Sequence, residues 1–150
     1  AYTNLAVTVA AKTSAHIYNG TGSSDGFKID GTFSPFLNFK VGNTYRFDQA
    51  DSSNTGHPLR FYYDAAKVTA YTSGVTTNGT PGSAGAYTQI AITSTTPNVL
   101  YYQCSSHAHM GSRVDIDSSA LVGSTFLSST GTTTTYASNA FAIAQAVALG

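Results

Sequence analysis

The chain has 150 residues, enough for one domain with a sizeable buried core. Charged residues make up only 9% of it, against about 25% in an ordinary globular domain, and Lys+Arg 7 balances Asp+Glu 7. This excludes a field of one sign that would attract nucleic acid or an anionic membrane, and no apolar run approaches the roughly 18 residues of a membrane span.

Alternation of apolar and polar residues between turn-forming segments predicts an all-β protein. Residues 5–11 (LAVTVAA) place Leu5, Val7 and Val9 on one face of a strand, and residues 43–48 (NTYRFD) place Tyr45 and Phe47 likewise. The six other predicted strands are residues 26–30, 36–41, 58–63, 87–92, 98–104 and 112–116. Residues 20–26 and 76–85 are dense in turn formers and are predicted loops. Eight short strands at this spacing are typical of a sandwich or barrel.

The composition changes after Asp117. Residues 118–150 begin as a Ser/Thr/Gly stretch and end in an Ala-rich segment that predicts a short helix from about Ala137. We therefore divide the chain into a domain at 1–117 and a C-terminal extension at 118–150. The extension is expected to pack back on the domain, to dock on a neighbouring subunit, or to remain a loosely ordered tail. The chain does not begin with Met, which suggests processing or excision from a longer protein.

The chain's only cysteine and only methionine fall within one heptapeptide, residues 104–110 (CSSHAHM), with two of the four histidines between them. If residues 98–104 form a strand, Leu100, Tyr102 and Cys104 share its core-facing side, so the thiol points inward at the strand's end. His107 and Met110 follow at intervals that a compact loop can fold around one point. A thiolate, an imidazole and a thioether form a soft donor set that selects copper.

A trigonal copper site needs a second imidazole, and His57 is the candidate. It follows a turn-rich segment and precedes the strand predicted at residues 58–63, so it lies at a strand end as Cys104 does. The alternatives are a buried Cys104 without a metal, Met110 as a gap filler in the core, and His57 as a hydrogen-bonded turn residue. The co-location of these residue types favours the metal site.

These segments resemble a known family. CSSHAHM is similar to the C-x-x-H-x-x-M ligand loop of the cupredoxins, in the short amicyanin-like form, and DSSNTGHP resembles the approach to the first ligand in plastocyanin-like members. The likeness covers about residues 3 to 117. It implies a Greek-key β-sandwich, one type 1 copper ion, and His57, Cys104, His107 and Met110 as its metal ligands.

A narrower resemblance is also present: the sequences of residues 51–61, 71–90 and 100–111 are similar to cupredoxin-type modules in virion structural proteins of marine tailed phages. This resemblance implies a decoration, fibre or tail component of a virion or extracellular surface. Separately, the Ala-rich extension is expected to assemble the chain as a homo-oligomer or larger protein complex. The first hypothesis is thus a virion structural protein whose metal adds stability. The alternatives are a soluble, for example periplasmic, blue-copper electron carrier and a metal-free adhesive or scaffold sandwich.

Three further expectations concern the remaining chemistry. His109 adjoins Met110, and consecutive ligands would strain a short loop, so we expect it not to bind the metal. His16 is expected at the surface or at a strand end. Without a G-x-S-x-G motif and without any Glu, we expect no enzymatic activity.

Overall fold

The structure is a computed structural model that describes residues 1–117, so the extension and its predicted helix lie outside the described residues. The described part contains ten strands and one short 3-10 helix, Ser52–Asn54. The strands are β1 (Thr3–Ala11), β2 (Asp25–Ile29), β3 (Thr32–Phe33), β4 (Leu37–Lys40), β5 (Thr44–Asp48), β6 (Leu59–Tyr62), β7 (Val75–Asn78), β8 (Tyr87–Ala91), β9 (Val99–Cys104) and β10 (Ser112–Asp117).

The strands form two sheets. One has the order β3-β2-β1-β5-β8-β7 and the other the order β4-β10-β9-β6. Each sheet is mixed, because β1 pairs with β5 and β4 pairs with β10 in parallel, while the other pairs are antiparallel. The predicted all-β sandwich is confirmed.

The core lies between the two sheets and is rich in aromatic rings. Phe47 of the larger sheet meets two rings of the smaller sheet, with centroids 5.4 Å from Phe61 and 5.9 Å from Tyr102. The predicted inward faces are confirmed, since Val7, Phe47 and Leu100 are each at most 1% exposed. Their burial is the main force that holds the sheets together.

All eight predicted strands are present, with ends that differ by a few residues. The short β3 and β7 were not predicted, and β7 contradicts part of the loop expected at 76–85. Residues 76–78 resemble turn formers, but together with Val75 they pair with β8, from Val75 opposite Ile90 to Asn78 opposite Tyr87. The other predicted loop, 20–26, ends earlier than expected because β2 already begins at Asp25.

Within residues 1–117, no helix has the length and apolar character that a membrane-spanning segment requires.

Candidate metal centre

Strand pairing brings the two distant halves of the predicted site together. β6 and β9 are antiparallel neighbours, and Leu59 near the start of β6 lies opposite Cys104 at the end of β9. His57 precedes β6 by two residues, so its ring lies at the same end of the sandwich as the Cys104 thiol. The Ser105 N–H also donates to the carbonyl of Pro58 at 2.9 Å, which fixes the start of the loop that follows β9.

Three of the predicted ligands form one compact cluster. The Cys104 Sγ lies 3.8 Å from His57 Nδ1 and 3.6 Å from His107 Nδ1, and the three donor atoms all lie within 4.8 Å of one another. Imidazole nitrogen and thiolate sulfur bind a divalent transition-metal ion at about 2.0 to 2.3 Å. Three such donors around one ion therefore lie about 3.5 to 4 Å from one another. The observed Sγ–Nδ1 distances fit a single metal ion.

The fourth predicted ligand, Met110, lies near the other three. It is fully buried and belongs to the same core cluster as Cys104. Its side chain is therefore shielded from solvent, as the Cys104 thiol is. Two imidazoles, one thiol and one thioether form the donor set that is typical of a blue-copper site.

The three clustered side chains differ in burial, and burial shifts the pKa of two of them. Cys104 is fully buried, His57 is half-buried and His107 is exposed. Burial raises the pKa of the Cys104 thiol, against the opposing effects of the Ser106 and His107 N–H groups and of two nearby cationic side chains. Burial, followed by the charge of His107, lowers the pKa of His57. Without a metal, the site therefore favours a neutral thiol and a neutral His57 ring, and a bound cation would supply the charge that stabilises the thiolate.

A buried amide pair holds the segment that carries His57. Gln49 donates to the His57 carbonyl at 2.8 Å and accepts from the Leu59 N–H at 2.9 Å. The Gln49 amide also donates to the Asn54 side chain at 3.0 Å, and Asn54 donates to the Val7 carbonyl at 2.7 Å. Because both amides are at most 1% exposed and fully bonded, they fix the approach to His57.

His16 holds the Met110 end of the loop that follows β9. It was predicted at the surface or at a strand end, and both positions are wrong, since β1 ends at Ala11 and β2 begins at Asp25. His16 is only 2% exposed, and its Nε2 lies 2.9 Å from the Met110 carbonyl. The Phe27 N–H donates to the same carbonyl at 2.8 Å. The buried position arises because residues 12–24, between β1 and β2, pack against residues 104–110, which we call the Cys–Met loop.

His109 is not one of the three clustered donors. Its ring packs against Tyr18 with centroids 4.7 Å apart, and its backbone has a φ of 58°. This left-handed conformation turns the chain back toward the core at Met110. Among residues 1–117, its Nδ1 is one of two buried side-chain atoms without a hydrogen-bond partner.

Two further residues, Lys67 and Gln103, support the site but lie outside the motif at residues 104–110, and neither was found from the sequence. Lys67 places its ammonium against backbone carbonyls of the Cys–Met loop. Gln103 is fully buried, accepts from the Gly111 N–H at 2.8 Å and donates to the Ala65 carbonyl at 3.3 Å. Of the two, only Gln103 could have been singled out from the sequence, because it is a polar residue within an otherwise apolar strand.

No family model and no curated protein matches the chain. Among solved structures, rusticyanin from Thiobacillus ferrooxidans aligns with 78% of this chain and 79% of its own, at 15% identity and a TM-score of 0.41. A methionine-to-glutamine variant of rusticyanin gives the same identity and TM-score over 80% of its own length. A similarity this distant carries no argument about function, so the assignment of the site depends on its own geometry.

Proposed function

We propose that the chain is a copper-binding protein that holds one type 1 copper ion through His57, Cys104, His107 and Met110. The observation that carries the proposal is the convergence of two imidazole Nδ1 atoms and one thiol sulfur within 4.8 Å, beside a buried methionine. Soft sulfur donors combined with imidazoles favour copper over the hard cations that prefer oxygen.

We propose electron transfer as the activity of this site. A bound copper ion would supply reversible one-electron chemistry. The chain contributes a buried thiol, a buried thioether and two imidazoles, of which only His107 is exposed. The exposed ring offers a short path between the site and a redox partner, while the buried sulfur donors exclude water. Electron transfer needs neither a general acid nor a general base. That the chain is not an enzyme stays a prediction.

A structural role in an assembly is the second candidate, and it was the first hypothesis from the sequence. The supporting observation is that Ile17 and Phe36 are 51% and 63% exposed and line the same depression. Exposed apolar side chains that lie together often mark contact sites. The placement on a virion or extracellular surface derives from the sequence resemblance alone and stays a prediction, as does assembly through residues 118–150, which lie outside the described residues.

The copper proposal is tested by Cys104→Ser in the full chain. We expect the variant to lose tight copper binding, because the thiolate is the one anionic soft donor. A competition titration against a chelator of known affinity measures this, with Ser106→Ala as the matched control beside the site. Equal copper affinity in Cys104→Ser and the wild type would overturn the role of Cys104.

The assembly role is tested by removing residues 118–150. We expect the shortened chain to lose higher oligomers and to keep its unfolding midpoint, because the Ala-rich end would bury its apolar face against a neighbour. Analytical ultracentrifugation and thermal unfolding measure the two effects. A monomeric full-length chain, or an equal loss of monomer stability on truncation, would contradict assembly through the extension.

A further inference from the structure

We propose that Lys67 is a positioning residue of the metal centre, which holds the Cys–Met loop in its ligand-presenting shape and places a fixed positive charge beside the site. The proposed effect of the charge rests on the proposed copper function. The proposed effect on the shape of the loop does not depend on copper.

The Lys67 ammonium contacts three backbone carbonyls of the same loop. Its Nζ donates to the Cys104 carbonyl at 2.7 Å and to the His107 carbonyl at 3.1 Å, and it lies 3.4 Å from the Ser105 carbonyl. An ammonium has three N–H donors and no acceptor, so it can serve all three carbonyls at once. Two of these carbonyls belong to the proposed ligands Cys104 and His107. The contacts therefore fix the backbone from which the thiol and the exposed imidazole project.

The segment that carries Lys67 is itself held in place. The Asp64 carboxylate accepts from the Val68 N–H at 2.9 Å and from the Thr69 N–H at 3.1 Å, and the Lys67 N–H donates to the Asp64 carbonyl at 3.2 Å. Lys67 also adopts a φ of 65°, a left-handed conformation that costs free energy in any residue with a Cβ. A bonded turn that maintains this conformation aims the side chain at the loop.

The charge adds an effect that shape alone does not provide. Lys67 is half-buried, so its ammonium is only partly screened by water. A positive charge beside a copper–thiolate site disfavours the more positive, oxidised state relative to the reduced one. Lys67 should therefore raise the reduction potential of the site as well as order the loop.

The first test measures the loop in the metal-free protein, so it does not depend on copper. In Lys67→Met, amide hydrogens of Ser105, Ser106 and His107 should exchange at least about tenfold faster than in the wild type, equivalent to about 1.4 kcal/mol. Methionine has a similar length and the same left-handed cost, so the change removes only the ammonium. Lys40→Met is the matched control. Lys40 pairs with Asp117 at the C-terminal end of β10, whereas the Cys–Met loop precedes the N-terminal end of that strand.

The second test measures the reduction potential of the copper-loaded protein. We expect a lower potential in Lys67→Met than in the wild type, and a potential close to that of the wild type in Lys67→Arg, which keeps the charge. A residue that only supports the fold would not separate these two variants. An unchanged potential in Lys67→Met would contradict the charge effect.

Exchange rates in Lys67→Met that match those of Lys40→Met would overturn the positioning role. Lys67→Gln, which removes the charge and keeps an amide donor, replaces Lys67→Met if that variant does not fold, with the same comparison. If the wild-type chain takes up no copper, the copper proposal fails, whereas the exchange measurement still decides whether Lys67 orders the loop.

Discussion

Each histidine at this end of the sandwich has a different environment, and the contacts of the two ring nitrogens decide its state. His16 is the clearest example. Its Nε2–H donates to the Met110 carbonyl at 2.9 Å, while its Nδ1 accepts from the Tyr18 N–H at 3.0 Å. This arrangement requires the neutral ring, because a protonated Nδ1 could not accept. Burial lowers the pKa of His16, and the charge of Lys12 lowers it further, against the Met110 carbonyl.

The metal-free protein should therefore lose stability as the pH falls from 7 to 5. A base whose pKa is lowered by folding binds more protons when unfolded, so its stabilising contribution is present above the unfolded pKa of about 6.5 and is lost below it. Denaturant unfolding at a series of pH values measures the free energy of unfolding. His57 shifts in the same direction, so His16→Gln should reduce the pH slope without abolishing it.

A pH slope in His16→Gln equal to that of the wild type would show that His16 is not protonated on unfolding in this range.

The sequence predicts the candidate metal ligands, and their burial, better than the residues that support them. Cys104, His107 and Met110 stand in one short motif, and the alternation in residues 98–104 placed Leu100 and Cys104 on the buried face, as observed. His16 was predicted wrongly, because its partner is the Met110 carbonyl, 94 residues away in the chain. Backbone carbonyls carry no side-chain signature, so their partners are invisible in a single sequence.

At the scale of elements, two connections flank the Cys–Met loop. The β6–β7 connection supplies Lys67, and residues 12–24 pack on the opposite part of the loop, where the Ser23 N–H donates to the Ala108 carbonyl at 2.9 Å. Gly22 allows this close approach. Its φ is +70°, and a Cβ there would lie 2.5 Å from the Ala108 carbonyl oxygen and 2.9 Å from the His109 Cβ.

Gly22→Ala should lower the free energy of unfolding by about 1 to 3 kcal/mol and weaken copper binding. The added methyl group displaces the loop, and the left-handed backbone adds strain. Gly20→Ala is the matched control, because Gly20 also has a positive φ, +85°, but a Cβ there meets nothing within 4 Å. Denaturant unfolding and copper titration of both variants measure the difference.

If Gly22→Ala and Gly20→Ala lose equal stability and bind copper equally well, the contact with Ala108 has no role in shaping the loop.

The elements also show where sequence periodicity succeeds and where it fails. The eight predicted strands carry apolar residues at alternate positions and are flanked by turn formers, so hydrophobic burial specifies them locally. β7 has the sequence Val75–Asn78 (VTTN), with three exposed residues, and it is specified by pairing with β8 at the edge of the sheet. This pairing consists of backbone hydrogen bonds to the next strand along the chain, and the alternation of apolar and polar side chains does not report such bonds.

At the scale of the whole molecule, the antiparallel pairing of β6 and β9 creates the site by joining the start of one strand to the end of the other. The donors come from segments 47 residues apart, His57 and Cys104, and they meet only in the folded sandwich. A metal ion that needs all of them binds the folded state alone. If the proposed copper ion binds, its binding and the global stability of the chain are therefore linked.

Copper should raise the stability of the wild-type chain by about 4 kcal/mol when the free ion is a thousandfold above its dissociation constant. For a chain of this size, this corresponds to a rise in the melting temperature of about 8 to 16 °C. Calorimetry with copper, and then with excess chelator, measures the effect and its reversal. The same copper concentration should leave Cys104→Ser almost unchanged, and an equal rise in that variant would indicate binding elsewhere.

The proposed copper site is tested by the visible absorption spectrum of the full chain loaded with one equivalent of Cu(II). Coordination of the ion by the Cys104 thiolate and two imidazoles should give an intense thiolate-to-copper absorption that disappears on reduction and in Cys104→Ser. A colourless protein that takes up no copper, or a copper complex with the same spectrum in Cys104→Ser, would contradict a copper site at Cys104.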